Sequence, residues 1–120
     1  MGTDRGNELR ERLMQYALRI FRLSASLANS PEARLVRGQL FRSGTSASAQ
    51  YREACRARSQ AEFVSKMESA QQELDETAFW LEFLERSKLM TASRLSKLRA
   101  ETEELIRIFA ASARTAKKRK

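Results

Sequence analysis

The segment RSGTSASAQYREACRARS, residues 42–59, contains no leucine, isoleucine, valine or phenylalanine, although the segments on both sides have strong helical periodicity. Its serine, alanine, threonine and arginine residues are compatible with a loop, a weak helix, or a helix with unusual neighbours. The conformation of this segment decides the fold, because a helix here extends the apolar face that precedes it into one long element.

The residues before this segment begin a helix whose phase continues through it. Ser30 suits the N-cap, Pro31 the first helical position, and Glu32 the positive end of the helix dipole. Glycine, threonine and serine weaken an isolated helix by a few tenths to about 1 kcal/mol each, but small side chains also allow close packing against a neighbour. We therefore predict a helix over residues 31–57. Its inner face carries Leu35, Val36, Leu40, Ser43, Ala47, Gln50, Ala54 and Ala57.

Three further segments place apolar residues at alternating spacings of three and four, the pattern of an amphipathic helix. They cover residues 7–28, 60–87 and 92–115, and Ser59 and Thr91 suit the N-caps of the last two. Connections of a few residues require neighbouring helices to be antiparallel. The sequence predicts an all-α, up-down-up-down four-helix bundle, a single domain over residues 1–116, followed by a basic disordered tail at residues 117–120.

The composition is typical of a soluble globular chain, with 42% apolar and 32% charged residues. Its net charge of +8 is unevenly spread: residues 34–58 hold six arginines and one acid, residues 60–86 hold seven acids and two bases, and residues 114–120 hold five bases. The first two blocks compensate each other if their helices pack side by side. The basic end then becomes the main candidate for nucleic-acid contacts.

No apolar stretch is long enough for a membrane span, and the N-terminus has no apolar signal-peptide core. The single cysteine, Cys55, cannot form an internal disulfide. We therefore expect a cytoplasmic protein without membrane contacts.

Polar residues interrupt the inner face of the second helix, opposite polar residues of the third. Because buried polar groups need hydrogen-bond partners, we predict a network between the two helices and close packing at this contact. We interpret it as structural, fixing helix pairing and register, and a binding or catalytic site is the alternative. Removal of Arg42 is expected to leave a buried partner uncompensated. This polar seam comprises Gln39, Arg42, Ser43, Ser46, Gln50, Glu53, Lys66, Glu73 and Glu76.

The sequence lacks the residues that most enzyme and metal sites use. It has no histidine, and one cysteine does not make a zinc site of the usual spacing. Gly38 and Gly44 belong to no phosphate-binding motif. Glu73 and Glu76 share a helix face, but Arg42 is available to neutralise them. We expect no enzyme activity and no metal or cofactor.

The run GQLFRSGTSASAQYREACRARSQAEFVSKMESAQQELDETAFWLEFL, residues 38–84, resembles the signature of a family of bacterial four-helix bundle proteins. Some members are encoded within intervening sequences of the large-subunit (23S) ribosomal RNA gene, and a related branch is the accessory protein of diversity-generating retroelements. Gln50 stands where the family often has asparagine, which preserves the hydrogen-bonding role. The matching positions are Gln39-Leu40, Arg42-Ser43, Ser46, Gln50, Glu53, Arg58-Ser59, Glu62-Phe63, Lys66, Ala70, Glu73, Glu76 and Trp80-Leu81.

The resemblance implies a four-helix bundle that forms a cyclic homo-oligomer, commonly a pentamer. For the related accessory protein it implies a basic pentamer that binds nucleic acid and a reverse transcriptase. Separately, Phe79, Trp80 and Phe83 lie off the apolar stripe of the third helix. Soluble monomers seldom expose such patches, so we predict a subunit contact there, with a wide core face as the alternative.

Two functional hypotheses remain. The first is a non-enzymatic, homo-oligomeric scaffold or interaction protein, with a further protein as its partner. The second is RNA or DNA binding without sequence preference, through the basic surface and the tail residues Lys117, Lys118, Arg119 and Lys120. Salt dependence separates the two hypotheses, because phosphate contacts release counterions and apolar docking does not.

Overall fold

The computed structural model describes residues 4–119 and forms four helices. These are α1 (Asp4–Ala25), α2 (Pro31–Cys55), α3 (Gln60–Arg86) and α4 (Ala92–Lys118), and no strand occurs within the described range. Each helix packs against the next in an elongated bundle of 50 × 22 × 19 Å. The predicted all-α four-helix bundle is confirmed. Across residues 4–119, no helix has both the length and the apolar character that a membrane crossing requires.

Side-chain caps explain where α2 and α3 begin. Ser30 Oγ accepts a hydrogen bond from the Ala33 N–H at 3.1 Å, and Ser59 Oγ accepts one from the Glu62 N–H at 3.0 Å. The Glu62 carboxylate in turn accepts from the Arg58 backbone N–H at 3.1 Å. The two serine bonds satisfy N–H groups that the first turn of a helix leaves without partners, and the Glu62 bond holds the residue just before the cap.

The small-residue segment at residues 42–59 is helical as far as Cys55, and its small residues contact two different helices. A Cβ atom added at Gly44 would lie 2.8 Å from two side-chain carbons of Ile20, so the glycine allows α1 and α2 to approach closely. The predicted close neighbour was the third helix, whereas the glycine packs on α1. The largest buried apolar side chains are Leu13, Tyr16, Ile20, Leu40, Met67, Leu74, Leu81, Leu84, Leu95, Leu105 and Phe109.

Several predicted positions differ from the structure. α1 ends at Ala25 rather than residue 28, and α2 ends at Cys55 rather than residue 57. Leu35, predicted on the inner face, is 68% exposed. The adjacent Val36 occupies the inward position, because Val36 and Leu40 are four residues apart on one side of the helix.

The C-terminal end of α4 is longer than predicted. The helix continues through Lys118, so the prediction of a disordered tail is wrong for Lys117 and Lys118. Lys117 Nζ lies 2.6 Å from Glu68 Oε2 on α3, and Ala116 is buried. Basic residues also favour the negative end of the helix dipole. Lys120 lies outside the described residues.

Candidate functional site

The inner part of the polar seam is a pair of buried hydroxyls. The Thr77 hydroxyl lies 2.8 Å from Ser43 Oγ, and the Ser43 hydroxyl donates to the Leu40 carbonyl at 3.3 Å. Both side chains are fully buried. Thr77 is the partner of Ser43 that sequence reasoning missed, although its place on the inner stripe of the third helix was available as a signal.

The outer part of the polar seam consists of ion pairs. Arg42 Nη1 lies 3.1 Å from Glu73 Oε1, and Arg42 also pairs with Glu76. Lys66 Nζ lies 2.6 Å from Glu53 Oε1 on the neighbouring helix. The hydrogen bond from Arg42 lowers the pKa of Glu76, while burial opposes this effect. The Arg42 side chain is 47% exposed, so this contact lies at the surface and not in the core.

Three predicted members of the polar seam do not join the network. Gln50 Oε1 is buried and has no hydrogen-bond partner. Across residues 6–119, no side-chain hydrogen bond or ion pair involves Gln39 or Ser46. The structure therefore brings together Arg42 with Glu73 and Glu76, and Glu53 with Lys66, but not the amide side chains. Electrostatic attraction selects charged partners, and the two glutamines lack a charge.

Phe79, Trp80 and Phe83 form a surface cluster, the aromatic patch. Phe79 and Trp80 have ring centroids 4.9 Å apart, Trp80 and Phe83 5.6 Å, and Phe79 and Phe83 6.1 Å. Phe79 is 54% exposed and Phe83 is 41% exposed. Trp80 packs against the core and donates its indole N–H to Glu76 Oε2 at 3.2 Å, which links the patch to the polar seam.

Acidic residues surround the aromatic patch. Asp75 and Glu82 lie four residues before and three residues after Phe79, and therefore on its side of α3. Together with Phe79, and with Arg99 and Glu103 of α4, they line a groove of about 320 Å³. Glu82 pairs with Arg86, and Arg99 pairs with Glu85. The α3 face of the bundle thus combines exposed aromatic rings with negative charge.

The edge of the bundle between α1 and α2 has a second aromatic pair. The rings of Phe21 and Phe41 have centroids 6.1 Å apart, and they are 53% and 44% exposed. Helical spacing places Arg34, Arg37 and Arg52 on the same side of α2 as Phe41. We call these five residues the arginine edge. Sequence reasoning missed it, because Phe21 and Phe41 lie 20 residues apart and meet only in the bundle.

A polar contact between α1 and α4 was also missed. Arg12 binds Glu101 through two hydrogen bonds of 2.7 Å and approaches Glu104 at 3.2 Å. The hydrogen bond from Arg12 lowers the pKa of Glu101, and burial opposes it. Beside this ion pair, the buried Tyr16 hydroxyl lies 2.6 Å from Thr102 Oγ1, and burial raises the pKa of Tyr16. These contacts close the bundle between its first and last helices.

The predicted basic tail is held against the bundle at two points. Lys117 pairs with Glu68, as described above, and the Arg119 carbonyl accepts a hydrogen bond from Gln60 Nε2 at 2.8 Å. Lys118 and Arg119 are exposed. Two of the four predicted phosphate-binding side chains therefore point to a surface that a polyanion can reach, and Lys117 is shared with an acid.

No group of three or more His, Cys, Asp or Glu residues in the described part of the chain is arranged to hold a metal ion. Cys55 is half-buried at the end of α2. Several of the described carboxylates instead form ion pairs between helices.

These features define an antiparallel helical bundle whose polar contacts join its helices and whose aromatic and charged faces are exposed. The chain belongs to the 23S rRNA-intervening sequence protein family, whose model matches residues 5–111. A crystal structure from Bacteroides thetaiotaomicron VPI-5482, of a protein with unknown function from the S23 ribosomal protein family, is similar to it. The two share 30% sequence identity and a TM-score of 0.85, over 91% of this chain and 97% of that one. No curated protein matches the sequence.

Proposed function

We propose that the protein is a non-enzymatic scaffold that assembles with copies of itself through the aromatic patch. The observation that carries this proposal is the exposure of Phe79 and Phe83 beside Trp80. Large aromatic side chains dominate interface energetics when buried, and exposed clusters of them are typical of interaction sites. A further protein partner would bind the assembled surface.

The arginine edge provides a complementary surface on a second copy. It offers exposed rings and positive charge, whereas the aromatic patch offers exposed rings and negative charge from Asp75 and Glu103. Electrostatic complementarity of this kind orients two subunits during association. Because the two surfaces differ, their pairing is heterologous, and it produces a closed ring when the rotation between successive subunits closes. A pentamer is the copy number that the family resemblance implies.

The experiment uses two folded variants with one defective surface each. Phe79→Ser with Phe83→Ser removes the aromatic patch, and Phe21→Ser with Phe41→Ser removes the arginine edge. Light scattering should give a discrete oligomer for the wild type and monomers for each variant. A mixture of the two variants should stop at a dimer, because only one pair of intact surfaces remains. Circular dichroism checks folding, and Arg107→Ser serves as an exposed control.

The outcomes separate the parts of the proposal. A monomeric wild type at micromolar concentration refutes self-association. If the variants are monomeric but their mixture does not dimerise, self-association stands and the heterologous pairing is wrong.

A second candidate function is weak RNA or DNA binding without sequence preference. The net charge of +8 and the exposure of Lys118 and Arg119 favour it. Repetition of these residues around an oligomer would strengthen weak contacts through avidity. Deletion of residues 117–120 should then weaken binding at low salt and reduce its salt dependence. Equal binding by the full-length and shortened chains would contradict a role of these residues.

A further inference from the structure

Four cations line one groove between α1 and α4. Arg19 and Arg22 of α1 face Arg94 and Lys97 of α4, and the apolar part of the wall is Leu23 and Leu98. The groove has a volume of about 360 Å³. Each helix contributes its two cations three residues apart, so all four side chains can reach one ligand. We call this surface the basic groove.

The charge of the basic groove is not balanced by nearby acids. Among the side chains of residues 6–119, none of its four cations forms an ion pair with a carboxylate. Glu101 lies close enough to Arg19 for the charge of Arg19 to lower the pKa of Glu101. Both carboxylate oxygens of Glu101, however, accept hydrogen bonds from Arg12. Four cations around one groove repel each other, and an anion would relieve this repulsion.

The start of α4 adds to the positive potential of the basic groove. The side chain of its N-cap, Thr91, accepts no hydrogen bond from a backbone N–H of the first turn, and that turn contains no acid. The first N–H groups of a helix carry a partial positive charge that acids normally offset. Arg94 lies in this region, and its guanidinium donates to Ser26 Oγ at 3.2 Å, which anchors it across the groove.

We infer that the basic groove binds ligands with two or more consecutive phosphate groups. Guanidinium groups bind phosphate oxygens through paired hydrogen bonds, and three of the four cations are arginines. Two rows of cations on antiparallel helices suit an extended polyanion better than a single phosphate. A nucleic-acid backbone and an inorganic polyphosphate chain share this chemistry. The site requires neither the aromatic patch nor residues 117–120.

The test compares two double variants that each lose two positive charges. Arg22→Ala with Lys97→Ala alters the basic groove, and Arg107→Ala with Arg114→Ala alters exposed positions on the outer side of α4. The probes are a short single-stranded RNA and an inorganic polyphosphate chain, measured by fluorescence anisotropy and by competition. At low salt the groove variant should bind at least about tenfold more weakly, and the slope of log affinity against log salt should fall by about 2.

The control variant should keep the wild-type salt slope and lose less than about threefold in affinity. If polyphosphate displaces RNA, phosphate groups alone are sufficient for binding to the basic groove. If polyphosphate does not displace RNA, the phosphate groups that the groove binds are those of a nucleic acid. Both results agree with the inference. Equal losses in the two variants, or no binding of either probe at low salt, would overturn it. The groove variant should remain oligomeric, which distinguishes this result from a failure of self-association.

Discussion

The two sides of α2 use neighbouring small residues for different contacts. Toward α1, Gly44 leaves room for the Ile20 side chain, and the contact at this position is apolar and close. One turn further along, the Ser48 hydroxyl donates to the Leu13 carbonyl of α1 at 2.6 Å. Toward α3, Ser43 meets Thr77 through buried hydroxyls, and Arg42 forms ion pairs with acids farther out. The contact of Gly44 with α1 depends on shape, whereas the contact of α2 with α3 depends on polar and ionic complementarity. We therefore expect substitutions on the two sides to differ in magnitude and in their response to pH.

The largest effect is expected from Gly44→Ala. The added Cβ would lie 2.8 Å from two Ile20 carbons, and both helices are fixed by the surrounding core. Overpacking of this kind costs about 1–3 kcal/mol of unfolding free energy. Urea denaturation monitored by circular dichroism measures the change.

Gly38→Ala is the matched control for Gly44→Ala. Gly38 lies in the same helix, but a Cβ there meets no atom within 4 Å. The higher helix propensity of alanine should then stabilise the protein by about 0.5–1 kcal/mol. Equal effects of the two substitutions would show that α1 does not approach α2 closely at Gly44.

The next effect is expected at the hydroxyl pair on the α3 side. Thr77→Val keeps the shape of the side chain and removes the hydrogen bond to Ser43. Because the Ser43 hydroxyl retains the Leu40 carbonyl as a partner, the loss should be about 1 kcal/mol. In a double-mutant cycle, Ser43→Ala should destabilise the Thr77→Val protein less than the wild type. Additive effects would mean that the two hydroxyls do not interact.

The helices were predictable from the sequence because their signals are local. Apolar spacing of three and four marked three helices, the phase set by Val36 and Leu40 continued through the second, and Ser30 and Ser59 marked two starting points. The charge blocks of the second and third helices also indicated that these helices pair. Leu35 was misplaced, because the spacing alone did not decide whether it or Val36 faces inward.

The contacts that were not predictable depend on tertiary placement. Arg12 and Glu101 are 89 residues apart, and no local pattern joins them. Phe21 and Phe41 each look like a single off-stripe aromatic residue until α1 and α2 are placed together. Burial was the other unknown: Arg42 has the predicted partners Glu73 and Glu76, but it lies near the surface.

This exposure determines the effect expected for Arg42→Ala. A half-exposed ion pair contributes about 0.2–1 kcal/mol, far less than a buried one. We therefore expect a smaller loss of unfolding free energy than for Gly44→Ala or Thr77→Val. Arg107→Ala, at an exposed position of α4, is the suitable control. Arg99→Ala would be an unsuitable control, because Arg99 itself forms an ion pair with Glu85. A loss above about 2 kcal/mol would indicate that the Arg42 contact is buried in solution.

The smallest effect is the pH dependence of the α3 side, where Glu76 has a lowered pKa. The hydrogen bond from Arg42 is the main cause, burial opposes it, and the Trp80 indole N–H adds to it. A carboxylate whose pKa is lower in the folded state stabilises the fold above its ordinary pKa of 4.5. That contribution is lost as the pH falls from 4.5 through the lowered value of the folded protein.

Glu76→Gln should therefore reduce the unfolding free energy at neutral pH by a few tenths of a kcal/mol, since the side chain is 37% exposed. At a pH below the lowered pKa, the variant and the wild type should have nearly equal stability, because the wild-type carboxyl is then protonated. Gly44→Ala changes no titrating group, so its loss of unfolding free energy should be the same at both pH values. The urea midpoints of the wild type, Glu76→Gln and Gly44→Ala, measured at neutral and at acidic pH, test both expectations. If Gly44→Ala varied with pH as Glu76→Gln does, the two sides of α2 would not be physically distinct, and the division between a shape-dependent and a charge-dependent contact would be wrong.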